Sequence, residues 1–264
     1  MDQPTVQLLS LLGVDNILVF VLALTRVTPL FIIAPVFSSR QIPTQAKVVI
    51  AVALAIGLTP SAVPPDSIDG DSLVGLLGML GVELLVGFAI AYALVAVTAA
   101  LEVAGTLLDF GVGFSFGAQI DPVSGNQNAV LARLYGLMGV MIFLTIGGDE
   151  WVIRGVARSY ELVPIGSTPD IVRLVAGADR TFAAIFGSAL QIAAPVMLAL
   201  VLADVGFGLL TRVVPQLNVF AVGLPIKVIV GMLLIGISLP LVGTWVEREL
   251  ERSVGAALQS LRVG

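Results

Sequence analysis

The sequence predicts an all-α integral membrane protein built of kinked helical hairpins, and three observations carry that prediction. Of its 264 residues, 58% are hydrophobic and only 12% are charged, against about 25% charged in ordinary globular domains. Mean hydropathy is +1.06. Apolar runs of helical length recur along the whole chain. Glycines and prolines break them where a continuous helix would lose roughly 1 kcal/mol per glycine and about 3 per proline.

The same composition excludes several function classes. With 13 Lys and Arg against 18 Asp and Glu, the net charge is −5, so the basic surplus that neutralises nucleic-acid phosphates is missing. Cysteine and histidine are both absent. That removes disulfides, thiolate nucleophiles, the usual general base and the commonest metal ligand. The sequence therefore predicts no enzyme, metal or cofactor. Asp2 and Asp15 precede the first base, Arg26, so the first apolar stretch lacks a signal peptide's positive start and is expected to stay in the mature protein.

In chain order, residues 8–36 form the first apolar element, interrupted by Arg26, Pro29 and Pro35. Its prolines are expected to kink or end a helix. A polar turn over residues 38–45 holds Arg40 and Pro43, and Lys47 opens an apolar run of 11 residues, 48–58. A bilayer core needs about 20. Residues 64–71, PPDSIDGD, read as an aqueous loop. The positive-inside rule puts the loop with Arg40 and Lys47 in the cytoplasm.

Residues 73–101 carry one charge, Glu83. At about 1.5 Å per residue that helix is about 43 Å long, more than the roughly 30 Å of hydrocarbon, so it must tilt, kink or leave the membrane. Gly75, Gly78 and Gly81 lie three residues apart, a spacing that lets another helix approach, by packing within the chain or otherwise.

Residues 109–128, DFGVGFSFGAQIDPVSGNQN, are the largest interruption. Gly111, Gly113, Gly117, Gly125 and Asp121-Pro122 oppose a helix, while Phe110, Phe114 and Phe116 make the stretch too apolar for a solvated loop. It is either a packed re-entrant turn whose rings fill space, or a constriction whose rings exclude water and ions on a glycine-rich backbone.

A short apolar helix follows over residues 129–146, with Arg133 in its first turns and Gly147-Gly148 at its end. Residues 149–163 are amphipathic, with Val152, Val156, Tyr160 and Val163 on one face and Arg154 and Arg158 on another. Asp149 and Glu150 suit the start of that helix. After a turn over 164–170, a long apolar segment carries Pro195 and Asp204. Residues 212–227, RVVPQLNVFAVGLPIK, break the pattern again. An apolar helix over 228–246 contains Pro240, and 247–264 read as a separate amphipathic helix striped by Leu250, Val254, Ala257 and Leu261. Arg212, Pro215, Pro225 and Lys227 echo Arg26, Pro29, Pro43 and Lys47. The Arg-to-Lys intervals are 15 and 21 residues, which leaves both coincidence and an internal repeat open.

Six ionisable residues sit within apolar stretches: Arg26, Glu83, Glu102, Arg133, Asp204 and Lys227. Such groups are costly in hydrocarbon and point to function by default. The alternative is that they pair with each other or with subunits, or sit at an aqueous level.

Three stretches in colinear order carry a family resemblance: RVTPLFIIAPVFSSRQIPTQAKVVIAVAL at 26–54, FGVGFSFGAQIDPVSG at 110–125 and PQLNVFAVGLPIKVIVG at 215–231. They resemble the FliR family, the flagellar members of the FliR/SctT export-gate proteins of type III secretion. The third is the most specific, with Pro215, Gln216, Asn218, Phe220, Gly223, Pro225 and Lys227 as its motif. The resemblance implies a FliP-like part fused to a FliQ-like part, in hairpins lying largely above the bilayer plane of an assembled basal body. Short runs and an overlong helix then need not be bilayer spans.

It implies one export-gate domain over 1–264, with first hairpins at 1–108, a plug loop at 109–128, further helices at 129–246 and an amphipathic C-terminal helix at 247–264. The plug would comprise Phe110, Gly111, Gly113, Phe114, Phe116, Gly117, Asp121 and Pro122. Implied partners are FliP-like and FliQ-like subunits, FlhB-like and FlhA-like export proteins, membrane lipid, and unfolded flagellar subunits as substrates, at the flagellar basal body in the bacterial inner membrane. The homologous injectisome subunit is the near alternative, and a stand-alone secondary transporter with a site at 215–227 the distant one. Relatives often carry a histidine before the amphipathic helix. Here Gly148-Asp149 stands there, without the imidazole a proton relay would use.

Overall fold

The computed structural model describes residues 14–39, 41–59, 72–114, 129–214 and 219–261. Its helices are α1 (Val14–Ile33), α2 (Thr44–Leu58), α3 (Leu73–Val112), α4 (Val130–Thr145), α5 (Gly148–Leu162), α6 (Ile171–Val213) and α7 (Val219–Ser260). No strand occurs among the described residues.

Several expected breaks are bridged. Pro29 lies inside α1, Pro195 inside α6 and Pro225 inside α7, while Pro240 lies within α7 as expected. A proline removes one amide donor, and helices held by tertiary packing continue past that loss. The tail expected as a separate helix is the last part of α7, where Leu250, Val254, Leu258 and Leu261 are buried.

The largest displacement is at the central stretch. α3 runs 40 residues to Val112, about 60 Å at 1.5 Å per residue, so Asp109, Phe110 and Gly111 belong to a helix and not to a loop. Packing outweighs glycine's poor propensity here. A Cβ on Gly105 would lie 2.5 Å from Ala132 Cα, and one on Gly111 would lie 2.6 Å from Met197 Sδ. Glycine at these positions lets α4 and α6 press against α3.

The expected end of α4 and start of α5 fall at Gly147, whose φ of 69° is the left-handed conformation that favours glycine. On α5, Val152, Val156 and Tyr160 are buried as the periodicity requires. Arg154 reaches back to Glu150 at 2.6 Å on the exposed face.

Contacts divide the chain into two compact units. The first comprises residues 1–95, 147–181 and 250–264, and the second 96–146 and 182–249. In the first, Leu22 and Val27 of α1, Ala55 of α2, Val86 and Ile90 of α3, Val156 of α5 and Leu250 of α7 are all buried. In the second, Leu101 and Leu108 of α3 pack with Leu131 and Tyr135 of α4, Val196 and Leu200 of α6, and Val242 and Val246 of α7.

α3, α6 and most of α7 are long and apolar enough to cross a membrane, and α4 with α5 would make a fourth, broken span. They differ in cover. The most apolar window is 56% buried in α3, but only 22% in α6 and 17% in α7. Large side chains such as Phe186, Leu190 and Leu202 on α6 and Leu233, Ile237 and Leu241 on α7 are exposed. Water is a poor neighbour for such surface, at about 25 cal/mol per Å².

The expected glycine spacing is not the one the chain packs against. A Cβ on Gly78 or Gly81 would meet nothing within 4 Å. One on Gly87 would collide with the Arg26 carbonyl oxygen and stand 3.0 Å from Pro29 Cγ. Gly81→Ala should therefore leave stability unchanged or raise it by up to about 1 kcal/mol through helix propensity. Gly87→Ala should lower it by about 1–3 kcal/mol through overpacking. Thermal unfolding of the purified protein in detergent compares the two, and equal effects would contradict the close α1 to α3 approach.

Candidate functional site

Residues 115–128, which include Phe116, Gly117, Asp121 and Pro122, lie outside the described residues. Both flanks of that segment are described, and one side chain organises them. Asp109, 3% exposed, closes α3 with its main chain: the amides of Gly113 and Phe114 both donate to its carbonyl oxygen at 3.1 Å. The reversal needs φ of 98° at Gly113, which glycine supplies without strain.

The Asp109 side chain begins the next helix. Its carboxylate accepts from the amide of Leu131 at 3.1 Å on Oδ1 and 3.0 Å on Oδ2, and from Ala132 at 3.1 Å on Oδ2. The first amides of a helix have no intrahelical acceptor and carry the positive end of its dipole. Ala129 at the N-cap of α4 makes no side-chain cap. A carboxylate 22 positions away in sequence does this instead.

The two described phenylalanines of the predicted plug separate. Phe110 projects from the last turn of α3 and is 74% exposed, while Phe114 packs against the second unit's core. Gly111 lies beside Met197 and Leu200.

Four of the six ionisable residues form two pairs of different kinds. Arg26 on α1 is fully buried. It donates to Glu83 on α3 from Nε at 2.5 Å and Nη2 at 3.0 Å, to Ser159 Oγ from Nη1 at 3.1 Å, and to the Val163 carbonyl from Nη2 at 2.9 Å. Val163 is the C-cap of α5, the negative end of that helix dipole. Tyr160 lays its ring 4.1 Å from the guanidinium carbon, a cation–π contact. Its hydroxyl is buried without a partner among the described residues.

Asp204 on α6 and Lys227 on α7 pair at 2.8 Å, with their side chains 55% and 17% exposed. Glu102 and Arg133 are exposed and in no ion pair among the described residues. The stem of Glu102 lies against Gly136. Pro215, Gln216 and Asn218 of the family motif are outside the described residues; Phe220 lies in the first turn of α7, Gly223 is buried and Pro225 lies within the helix.

The Arg26 donors are committed to internal acceptors, and no group of three acidic residues suited to a metal occurs among the described residues. Asp109 was absent from the residues singled out in the sequence. The available signal was an alanine at the start of a helix, a residue type that cannot cap.

The family model described as bacterial export proteins, family 1, matches residues 17–253. The chain is 31% identical to the flagellar biosynthetic protein FliR of Pectobacterium carotovorum subsp. carotovorum, over 84% of each chain. It is 30% identical to the protein of that name from Escherichia coli (strain K12), over 85% of each. It is 28% identical to the surface presentation of antigens protein SpaR of Shigella flexneri, over 84% of this chain and 86% of that one.

The buried charges make two expectations. Removing one partner strands the other, so Glu83→Leu or Arg26→Met alone should cost about 3–5 kcal/mol, while the double substitution should recover most of that loss. A double-mutant cycle on thermal stability measures it, and additive losses would show that the two side chains do not act as a pair. Tyr160→Phe keeps the ring and deletes the unpartnered hydroxyl, so stability should hold or rise. Tyr160→Leu should lose about 0.5–2 kcal/mol of cation–π attraction. The same melts compare them.

Proposed function

Since the chain belongs to the bacterial export proteins, family 1, we propose that it is a subunit of the export gate of flagellar type III secretion, conducting unfolded flagellar proteins across the bacterial inner membrane at the basal body. The match over residues 17–253 carries this reading. The chain is a conduit component and not an enzyme, with the energy for transport supplied elsewhere. The whole of residues 1–264 acts as one gate domain. FliP-like and FliQ-like subunits are its immediate neighbours, with FlhB-like and FlhA-like proteins completing the apparatus. The exposed apolar faces of α6 and α7 support that reading, because packed helices of neighbouring subunits and lipid are the two media that such faces tolerate.

Phe110, Gly111, Gly113 and Phe114, with Phe116, Gly117, Asp121 and Pro122, form the plug on this reading. The support is the exposed ring of Phe110 at the end of α3, between the buried Leu108 and Val112, followed by the glycine turn at Gly113. Among the relatives described above, the flagellar ones match at slightly higher identity than the SpaR of Shigella flexneri, 31% and 30% against 28%, which favours the flagellar system over an injectisome.

Two experiments test this. Expression in a motile bacterium lacking its own FliR should restore swimming, and failure to co-purify with FliP-like and FliQ-like chains would contradict the gate assignment. Deletion of residues 115–119 should raise the passive ion conductance of membranes containing the assembled complex severalfold while secretion persists. An ion-tight complex with that deletion would remove the plug role.

A further inference from the structure

We propose that the outer face of the hairpin of α3 and α4, marked by Glu102 and Arg133, docks one apolar helix of a neighbouring export component. That helix carries a base opposite Glu102 and an acid opposite Arg133. The identity of the neighbour rests on the export-gate reading above. The support for the surface itself lies wholly within the second unit.

Close packing fixes where the two charges stand. α3 and α4 approach at Gly105, where a Cβ would lie 2.5 Å from Ala132 Cα, and at Gly139, where one would lie 2.5 Å from Leu101 Cδ1. Between these contacts the Glu102 side chain lies across Gly136, where a Cβ would stand 3.0 Å from Oε1 and 3.2 Å from Cγ. Arg133 comes three residues before Gly136, about 4.5 Å along the helix at 1.5 Å per residue. Both side chains are exposed, and neither joins an ion pair among the described residues. One face therefore presents a carboxylate and a guanidinium on neighbouring turns, held close and unpaired.

The surroundings of the charges decide what faces them. Leu137 and Met141 follow Arg133 at intervals of four, on the same side of α4, and are 57% and 68% exposed. Leu134 beside them is 38% exposed. Water covers such apolar surface at a cost, while hydrocarbon accepts it but not the two ions. A helix that is apolar apart from one acid and one base satisfies both sets of groups. Its two charges stand three or four residues apart, the spacing at which side chains share a helix face. Pairs made this way fix register and reject partners with the opposite order of signs.

The test uses the full chain co-expressed with its export components and purified in mild detergent. Glu102→Lys and Arg133→Glu should each lower the amount of co-purified neighbour severalfold. The melting temperature of the chain alone should stay that of the parent, because both side chains are exposed. The two substitutions together should do no better than either one. Recovery in that double variant would overturn the inference, because it would show the two charges pairing with each other, within the chain or across a second copy. Normal co-purification of both single variants would overturn this surface and leave the gate reading standing. A parent chain that brings no export component with it would overturn the gate reading and this surface together.

A second readout needs no charge variant. The chain has no cysteine, so Leu137→Cys is a unique thiol on this face. Carrying a short photoactivatable maleimide, it should cross-link in the assembled complex to an apolar helix of another chain with an acid and a base three or four residues apart. Attachment only to lipid or detergent, to a second copy of this chain, or to a helix without those charges would sink the proposal.

Discussion

A guanidinium shut away from water constrains everything around it, and Arg26 is in that position. Burying an ion costs several kcal/mol even after relaxation, and the cost is offset here by acceptors gathered from distant parts of the chain. Glu83 is 57 positions away, Ser159 133 and Val163 137. Each belongs to a different segment from α1. Because a well-packed apolar pair of the same volume is often as stable as a buried ion pair, the value of this one lies in specification. Only one rotation and one height of α1 against α3 put Arg26 opposite Glu83. Gly87, one turn on from Glu83, lets the Arg26 carbonyl approach without a methyl in the way. The electrostatic and steric fits therefore select the same register.

The outer surfaces follow an opposite logic. The most apolar windows of α6 and α7 are about four-fifths uncovered by the described residues, and many of their leucines, isoleucines and phenylalanines are exposed. Helices of 43 and 42 residues would extend about 63–65 Å, twice the hydrocarbon thickness, so lipid alone cannot cover them end to end. Association with other export components, which membership of this family suggests, offers packed protein as a second medium that such faces tolerate. The partly exposed Asp204 and Lys227 pair fits the same picture, since a charge pair on such a face is tolerable beside protein or interfacial water and costly in hydrocarbon.

Much of this was legible in the sequence wherever a local rule governed. The amphipathic stripe of α5, the turn at Gly147 and the apolar segments later seen as α3 and α6 follow from periodicity and from the conformational freedom of glycine. The failures share one cause, the tertiary override of a local preference. Pro29, Pro195 and Pro225 did not end their helices, because packing on either side outweighs one missing hydrogen bond. Gly78 and Gly81 have the small-residue spacing but meet nothing within 4 Å among the described residues, while Gly87 and Gly105, outside that pattern, are where backbones meet. Which charges pair was also invisible: separations of 57 and 23 positions carry no local signal.

The central stretch shows how a composition argument changes once partners are known. Four glycines between residues 109 and 128 suggest a backbone free to take many conformations, and freedom of that kind carries an entropic cost whenever the segment is ordered. Two of those glycines have other duties. Gly111 lies against Met197 inside a helix, and Gly113 takes the left-handed turn that closes it. A methyl at the first would clash and at the second would strain the chain, so both serve order and not mobility. Phe110 likewise belongs to the rigid helix, and its ring is presented by α3 and not by a loop. The end of α3 and the start of α4 are tied together in the same way, and Asp109 is the group common to both.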